Sequence, residues 1–341
     1  MAYAIAADRP PQIGGCRLSD LQRECRRGLS QAHNNSYFRL KSYRANFAKV
    51  RGGPNDGRYI GLDFGMLVDL SIIDMRLRNE MLPLTLDVEH FAKVRLLSRM
   101  EERREDGYEV VRDFLQEQAR LGTHPYEEID KGKSSPYTRG LVERRPDYGF
   151  PTRELVEVIS FGRFIHFYKF CADRFNDRRM RNDFYMLQSV KGLRNGCAHN
   201  NCIINDLRAG TPPYAPRNEV KSALGRIGVG GDMQHTKLSN ERMQQVATTL
   251  FMHNGLASSG VHHARAISLD GLCRRMAKHA DYYGECAPVN TAFDFIGRMA
   301  AGWHPVEERN CLQPTQGFLA LRGFVWVNWP IYEQAAQGNL R

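Results

Sequence analysis

The 341-residue sequence predicts an all-α protein, a helical bundle with additional helical elements before and after its core. Several stretches repeat apolar residues every three or four positions, the spacing that places them on one face of a helix. Between the later of these stretches, no alternation of apolar and polar residues indicates a strand. Helix start and stop signals flank the stretches and allow each element to be placed in turn.

In the first third of the chain, residues 19–22 form a capping-box pattern that predicts the start of a first helix. The clearest apolar stripe covers 66–81, and we expect Pro83 to end or kink that helix. The charged run 101–106 indicates a solvated face or a helix end. Helical spacing then continues over 108–118.

The character of the sequence changes over 122–151, where four prolines and the stretch Lys131-Gly132-Lys133 predict a basic, non-helical connection. A disordered segment, a plain linker and a substrate-contacting loop would each fit this composition. We favour disorder or a linker over the loop.

Helical patterns return after this connection and dominate the rest of the chain. Helices are expected at 153–169 and 186–193 and, beyond a turn-rich break at 210–216, around 243–250 and 269–276. Segment 318–329 mixes aromatic and β-branched residues and is compatible with a strand or with a packed tail.

The net charge of +10 favours a polyanionic partner, since basic side chains release the condensed counterions of a nucleic acid. A solvated basic surface without a ligand is the open alternative. No apolar run reaches the roughly 18 residues that a membrane span needs, and residues 1–15 lack the features of a secretion signal. We expect a soluble, cytoplasmic protein with no membrane partner.

Eight cysteines are spread along the chain without a Cys-x-x-Cys pair or the spacing of a structural zinc site. They are Cys16, Cys25, Cys171, Cys197, Cys202, Cys273, Cys286 and Cys311. We therefore expect buried thiols in a reducing compartment, with no disulfide, metal or other cofactor.

The candidate catalytic stretch is an arginine followed by a histidine, Arg194 and His199. Spacing alone is weak evidence, because other pairs share a similar separation: Arg26 or Arg27 with His33, Arg274 with His279, and Arg298 with His304. Among the arginines of these pairs, only Arg194 is followed directly by an asparagine, Asn195, and then by three small residues at 196–198. Small side chains would let a second backbone or an RNA strand approach closely.

These residue types suit RNA cleavage without a metal. Histidine moves protons near neutral pH, because its ordinary pKa is about 6.5, and this role fits His199. The guanidinium of Arg194 can stabilise charge on a strained phosphate, and the amide of Asn195 can orient the phosphate or the histidine. Alternatively, Arg194 is a surface arginine and His199 a hydrogen-bonded structural histidine.

The stretch resembles the HEPN superfamily, and more narrowly the bacterial Abi-like proteins of abortive infection against phage. The features that carry the resemblance are Tyr37-Phe38-Arg39-Leu40, the helix 67–81 with Ile73-Asp74-Met75-Arg76-Leu77-Arg78, Glu157 ahead of Ser160-Phe161-Gly162, and 193–200. The resemblance divides the chain into a tail (1–15), an Abi-like helical domain (16–285) whose HEPN core covers about 154–285, and a C-terminal extension (286–341).

The resemblance implies that Arg194, Asn195 and His199 are the functional positions. Many family members have a second histidine where this chain has Asn200, so any role of that histidine is lost. HEPN ribonucleases place two such motifs in one cleft and leave a cyclic phosphate and a 5′-hydroxyl. Since the chain has one convincing motif, a homodimer is implied.

Three further groups of residues are weaker functional candidates. Glu157 could tune a histidine, but an ion pair with an arginine is favoured. His262 and His263 with Cys273 lack a fourth metal ligand at suitable spacing. The tryptophans at 303, 326 and 329 are expected to pack against a core rather than to stack on bases.

Two functions remain open at this stage. The first is a homodimeric, metal-independent endoribonuclease that cuts single-stranded or loop RNA as a toxin or abortive-infection effector. The second is a non-catalytic RNA-binding protein that holds a structured small RNA in a ribonucleoprotein, which the net charge favours equally well.

Overall fold

The computed structural model describes residues 37–306, apart from 211, 213 and 285. The all-α prediction is confirmed, because this part of the chain contains thirteen α-helices and no strand. The helices are α1 (Tyr37–Ser42), α2 (Phe64–Glu102), α3 (Gly107–Arg120), α4 (Pro125–Lys131), α5 (Arg139–Glu143), α6 (Thr152–Val158), α7 (Phe161–Arg174), α8 (Arg178–Ala198), α9 (Asn218–Arg226), α10 (Gly231–Leu238), α11 (Glu241–Leu256), α12 (Ser259–Ala277) and α13 (Ala287–Trp303). The expected first helix at 19–22, the tail 1–15 and segment 318–329 lie outside the described residues.

Helix α2 runs for 39 residues and passes through Pro83, so the expected end at that proline is wrong. A proline inside a helix costs about 3 kcal/mol, because it removes one backbone hydrogen bond and crowds the preceding turn. Met81 and Leu84 on either side are fully buried, and each such burial contributes roughly 1.5–3 kcal/mol. The helix ends at Glu102, within the charged run, as expected.

The expected non-helical connection at 122–151 is wrong, since this segment forms α4, α5 and a short 3-10 turn. Pro125 occupies the first turn of α4, where a missing N–H costs nothing, so this proline starts a helix instead of preventing one. Ile129 and Val142 are buried. The segment is not basic either, because its five Lys and Arg residues are matched by five Asp and Glu residues.

The helix expected at 153–169 is two helices, α6 and α7, because Ser160 caps the second one. The Ser160 hydroxyl accepts a hydrogen bond from the backbone N–H of Arg163 at 3.2 Å, which begins a new helix there. Helix α8, expected from the 186–193 pattern, packs against α7, α11 and α2. It therefore lies in the centre of the bundle.

The helices expected around 243–250 and 269–276 are confirmed as α11 and α12. The described part of the expected extension forms α13, which packs against both of them. Trp303 at its end is buried with its ring 5.9 Å from that of Phe251, so packing is the correct interpretation for this tryptophan. Trp326 and Trp329 lie outside the described residues.

No helix in the described range combines the length and apolar character needed to cross a membrane.

Candidate active site

The candidate catalytic residues lie at the carboxyl end of α8. Arg194 and Asn195 belong to its last turns, and His199 is the residue that caps it. The backbone N–H of His199 donates to the carbonyl of Asn195 at 2.9 Å. Asn200 then adopts a left-handed conformation with φ 56°, and the N–H of Asn201 donates to the Gly196 carbonyl at 2.8 Å. This turn closes the helix, so His199 lies at a fixed end and not in a loose loop.

The structure brings Arg194 and Asn195 together, since the guanidinium Nη1 of Arg194 donates to the Asn195 amide oxygen at 3.4 Å. Arg194 is half-buried, while Asn195 and His199 are exposed. The imidazole of His199 makes no hydrogen bond or ion pair with any residue that the structure describes. Both of its ring nitrogens can therefore reach a ligand, and His199 is not a hydrogen-bonded structural histidine.

The loop that follows His199 is held by Asp74, a fully buried carboxylate on α2. One oxygen, Oδ1, accepts hydrogen bonds from the backbone N–H groups of Ile203 at 2.8 Å and Ile204 at 3.0 Å. The other, Oδ2, accepts one from the Tyr43 hydroxyl at 2.8 Å and forms an ion pair with Arg78. We call Tyr43, Asp74 and Arg78 the Asp74 cluster. It ties the exit of α8 to α2 through groups buried away from water.

Two arginines contact the backbone directly after His199. The guanidinium of Arg39 donates to the carbonyl of Asn200, and that of Arg78 donates to the carbonyl of Asn201 at 3.3 Å. Positive charge at the carboxyl end of a helix is favourable, because the unpaired carbonyls there carry partial negative charge. The candidate site thus has three arginines near its histidine: Arg39, Arg78 and Arg194.

The far end of the same loop is fixed by Asn46 and Arg242. The Asn46 amide donates to the Ile204 carbonyl and accepts from the Leu207 N–H, both at 2.8 Å. Arg242 on α11 donates to the Asn205 side chain and, at 2.9 Å, to the Asp206 carbonyl. The loop is therefore anchored along most of its length.

Sequence reasoning missed these anchoring residues as functional candidates. Asp74 and Arg78 belong to the α2 stretch that carried the family resemblance, but nothing in the sequence indicated what they contact. Asp74 and Ile203 are 129 residues apart. The available signal was the spacing of Asp74 and Arg78, four residues apart, which lets a carboxylate and an arginine pair on one face of a helix.

Glu157 does not contact the candidate catalytic residues, and the ion pair favoured for it is not formed. It is exposed on α6, without a hydrogen bond or ion pair to any described residue. The acidic residue that engages the Ser160-Phe161-Gly162 stretch is Glu128, which accepts from the Ser160 hydroxyl at 2.7 Å and from Arg163 Nε at 2.8 Å. Burial alone would raise the pKa of Glu128, but these hydrogen bonds and the charge of Arg163 lower it overall.

The small residues of α8 have separate roles. A side chain at Gly196 would make only an ordinary contact with Ile203, at 3.5 Å. At Gly192, one turn earlier, an added Cβ would lie 2.7 Å from the side-chain nitrogen Nε2 of Gln245 on α11, so the end of that flexible side chain would have to move. Cys197 is buried, and burial raises the pKa of its thiol to about 12. It therefore contributes to packing.

No group of three or more His, Cys, Asp or Glu side chains in the described residues is arranged to hold a metal. Nε2 of His262, one of the residues considered as metal ligands, lies 2.9 Å from the Trp303 carbonyl oxygen and 3.1 Å from the Asn254 side-chain oxygen. Burial raises the pKa of the Cys273 thiol to about 12, so it stays protonated. Cys16, Cys25 and Cys311 lie outside the described residues.

A family model described as Abi-like protein matches residues 32–205. No curated protein and no solved structure matches the chain. The matched region contains the Asp74 cluster, all of α8 and the loop up to Asn205, and therefore Arg194, Asn195 and His199. Because the match covers just over half of the chain, the protein belongs to the Abi-like family, whose name refers to abortive infection.

Proposed function

We propose that this protein is a metal-independent endoribonuclease of the HEPN type that acts in the cytoplasm as an abortive-infection effector or toxin. One observation carries the proposal: the exposed imidazole of His199 has no partner among the described residues, and it lies at a helix end that buried polar groups hold in place. Arg194 and Asn195 lie on the same turn of α8 and are joined to each other. A histidine whose backbone is held in place and whose ring nitrogens are free to bind a substrate is suited to proton transfer.

The reaction needs two proton transfers and no cofactor. One histidine takes the proton of the 2′-hydroxyl, whose oxygen then forms a bond to the adjacent phosphorus. The bond from phosphorus to the 5′-oxygen breaks, and a second histidine protonates that oxygen. The products are a 2′,3′-cyclic phosphate and a 5′-hydroxyl. Arg194 stabilises the negative charge that develops on the phosphate oxygens, and the amide of Asn195 orients the phosphate.

A homodimer supplies the second histidine. His199 of one chain cannot easily act as base and acid at once, because the two transfers occur on opposite sides of the phosphorus. Asn195, Ala198 and His199 are all exposed, which leaves the end of α8 open to the same surface of a second copy. Each chain would then contribute Arg194 and His199 to a shared cleft.

The first test is RNA cleavage by the purified protein in the presence of a chelator. We expect His199→Ala to lower the cleavage rate by at least a hundredfold, because general acid–base groups typically contribute 10²–10⁴-fold. His235→Ala is the matched control, since His235 is also exposed but lies on α10 outside the site. The products should end in cyclic phosphate. Equal cleavage by wild type and His199→Ala would remove His199 from the mechanism.

The second candidate function is a non-catalytic RNA-binding protein that holds a structured small RNA, which the net charge of +10 favours. RNA that co-purifies with both wild type and His199→Ala, is released by salt and is never cut would support this function. A preparation free of nucleic acid would contradict it.

A further inference from the structure

Two exposed aromatic rings lie next to each other on the surface that leads away from the candidate site. Tyr185 on α8 is 38% exposed, and Tyr214, in the connection between α8 and α9, is 51% exposed. Their ring centroids are 6.4 Å apart, and the planes are inclined by 62°. Adjoining exposed aromatic rings offer faces on which a planar ligand group can stack.

A positive charge lies against the same pair. The guanidinium carbon of Arg217 is 4.1 Å from the centroid of the Tyr185 ring, and Nη2 of Arg217 donates to the Asn182 side chain at 3.3 Å. Arg217 forms no ion pair with any described residue, and its Nε has no hydrogen-bond partner among them. Arg217 thus lies against the tyrosines without a direct ion pair to a described residue, and the Glu219 carboxylate is linked to it only through the Asn182 side chain, whose Nδ2 donates to Glu219 at 2.8 Å.

The position of this group relative to His199 follows from helix geometry. Tyr185 and His199 are 14 residues apart on a continuous helix, which corresponds to about 21 Å and nearly four full turns. The two residues consequently lie on the same side of the helix, about 40° apart around its axis. At the roughly 3.4 Å rise of a stacked strand, about six nucleotides cover that distance, and an extended strand needs fewer.

We propose that Tyr185 and Tyr214 form a stacking platform for a nucleobase of single-stranded RNA, with Arg217 contacting a neighbouring phosphate. The platform holds the substrate a few nucleotides away from the phosphate that is cleaved. This inference rests on the proposed function and adds a second contact point for the RNA, at a distance from the cleaved phosphate. Aromatic rings beside an arginine are the combination that binds single strands with little sequence preference.

The test measures binding separately from cleavage, in the His199→Ala background and with a short, fluorescently labelled single-stranded RNA of mixed sequence. Tyr214→Ala is the principal variant, because its hydrogen bond with a described residue is accepted by the backbone carbonyl, from Gln244 at 3.0 Å, and survives the change. We expect Kd to rise about 5- to 100-fold, as stacking on one base is worth about 1–3 kcal/mol. Tyr214→Phe, which keeps the ring, should bind as the parent does.

The matched control is Tyr137→Ala, which removes a tyrosine that is 91% exposed in the turn before α5. It should leave Kd unchanged. Arg217→Gln should also reduce the dependence of log Kd on log salt by about 0.7, the contribution of one phosphate contact on a single strand. A Tyr214→Ala protein that is folded and binds RNA as tightly as its parent would overturn the platform while leaving the proposed nuclease intact. If the His199→Ala parent binds no RNA, the proposed function fails and the platform fails with it.

Discussion

The buried carboxylate of Asp74 holds the loop that directly follows His199. Asp74 has four partners, of which two are backbone N–H groups of the loop after His199, one is a hydroxyl and one is the Arg78 guanidinium. Arg78 is itself only 5% exposed. A buried charge stabilises a fold only while it is paired, so the two side chains depend on each other.

Replacing Asp74 by asparagine therefore has a predictable result. The new side chain is nearly the same shape, but its amide nitrogen would face the Arg78 guanidinium, and the buried positive charge would lose its counterion. We expect the free energy of unfolding in urea to fall by about 3–5 kcal/mol, the usual cost of breaking a buried pair from one side. Asp232→Asn, at an exposed position on α10, is the control and should change it by less than about 0.5 kcal/mol. A loss below about 1 kcal/mol for Asp74→Asn would mean that other contacts hold the loop.

At the scale of elements, four helices meet in a chain of buried histidines. His253 on α11 lies between Asp87 on α2, at 3.3 Å, and His304 after α13, at 3.0 Å. His262 on α12 stacks on the His304 ring at 4.6 Å. When Nε2 of His253 donates to Asp87 and Nδ1 of His253 accepts from Nε2 of His304, His253 is neutral. Nδ1 of His304 is buried and has no hydrogen-bond partner among the described residues, so a second proton on that ring would be left unpaired.

The neutrality of these histidines makes stability depend on pH. Burial lowers the pKa of His253 to about 4 and that of His304 to about 3, although Asp87 partly opposes this for His253, and the neighbouring Arg265 and His262 reinforce it. In the unfolded chain both titrate near 6.5, so as the pH falls below about 6.5 the unfolded state binds protons first. We expect stability to be constant above this value and to fall towards pH 4, by about 3 kcal/mol for His253.

Urea unfolding at a series of pH values between 7.5 and 5 measures this effect. His304→Gln removes one of the two titrating rings from the junction, so its stability should decline less steeply over the same interval. If wild type and His304→Gln decline in parallel, the histidine junction is not the cause.

The elements also show which parts of the fold were accessible from sequence. Helices α11 and α12, and α2 as far as Pro83, follow from the spacing of their apolar residues, whereas the continuation of α2 beyond Pro83 does not. The helices α4 and α5 were not predicted, because prolines in a sequence usually indicate a break in helical structure. Pro125 occupies the first turn of α4 and Ile129 is buried in the core, and neither fact can be read from the sequence. The Arg194-Asn195 pair and His199 could be found from local context. The Asp74 cluster could not, because its partners are distant in the sequence.

For the whole molecule, the proposed mechanism makes a second chain part of the site. The end of α8 is exposed, and each chain has one histidine of this motif, whereas the proposed cleavage requires two proton transfers. If two chains pair across a two-fold axis, wild type carries two histidines in its cleft and His199→Ala carries none. A mixed dimer of one wild-type and one His199→Ala chain carries one, so it lacks either the base or the acid.

Differently tagged chains allow such mixed dimers to be isolated. We expect them to cleave RNA far more slowly than half the wild-type rate, because loss of either proton transfer costs a factor of about 10²–10⁴. Mixed dimers of wild type with His235→Ala should keep the full rate, since that histidine lies outside the site. Half activity in the His199→Ala mixture, or a fully active monomer in sedimentation, would show that each chain works alone. In that case His199 would need a different proton donor within its own chain, and the shared cleft would have no catalytic role.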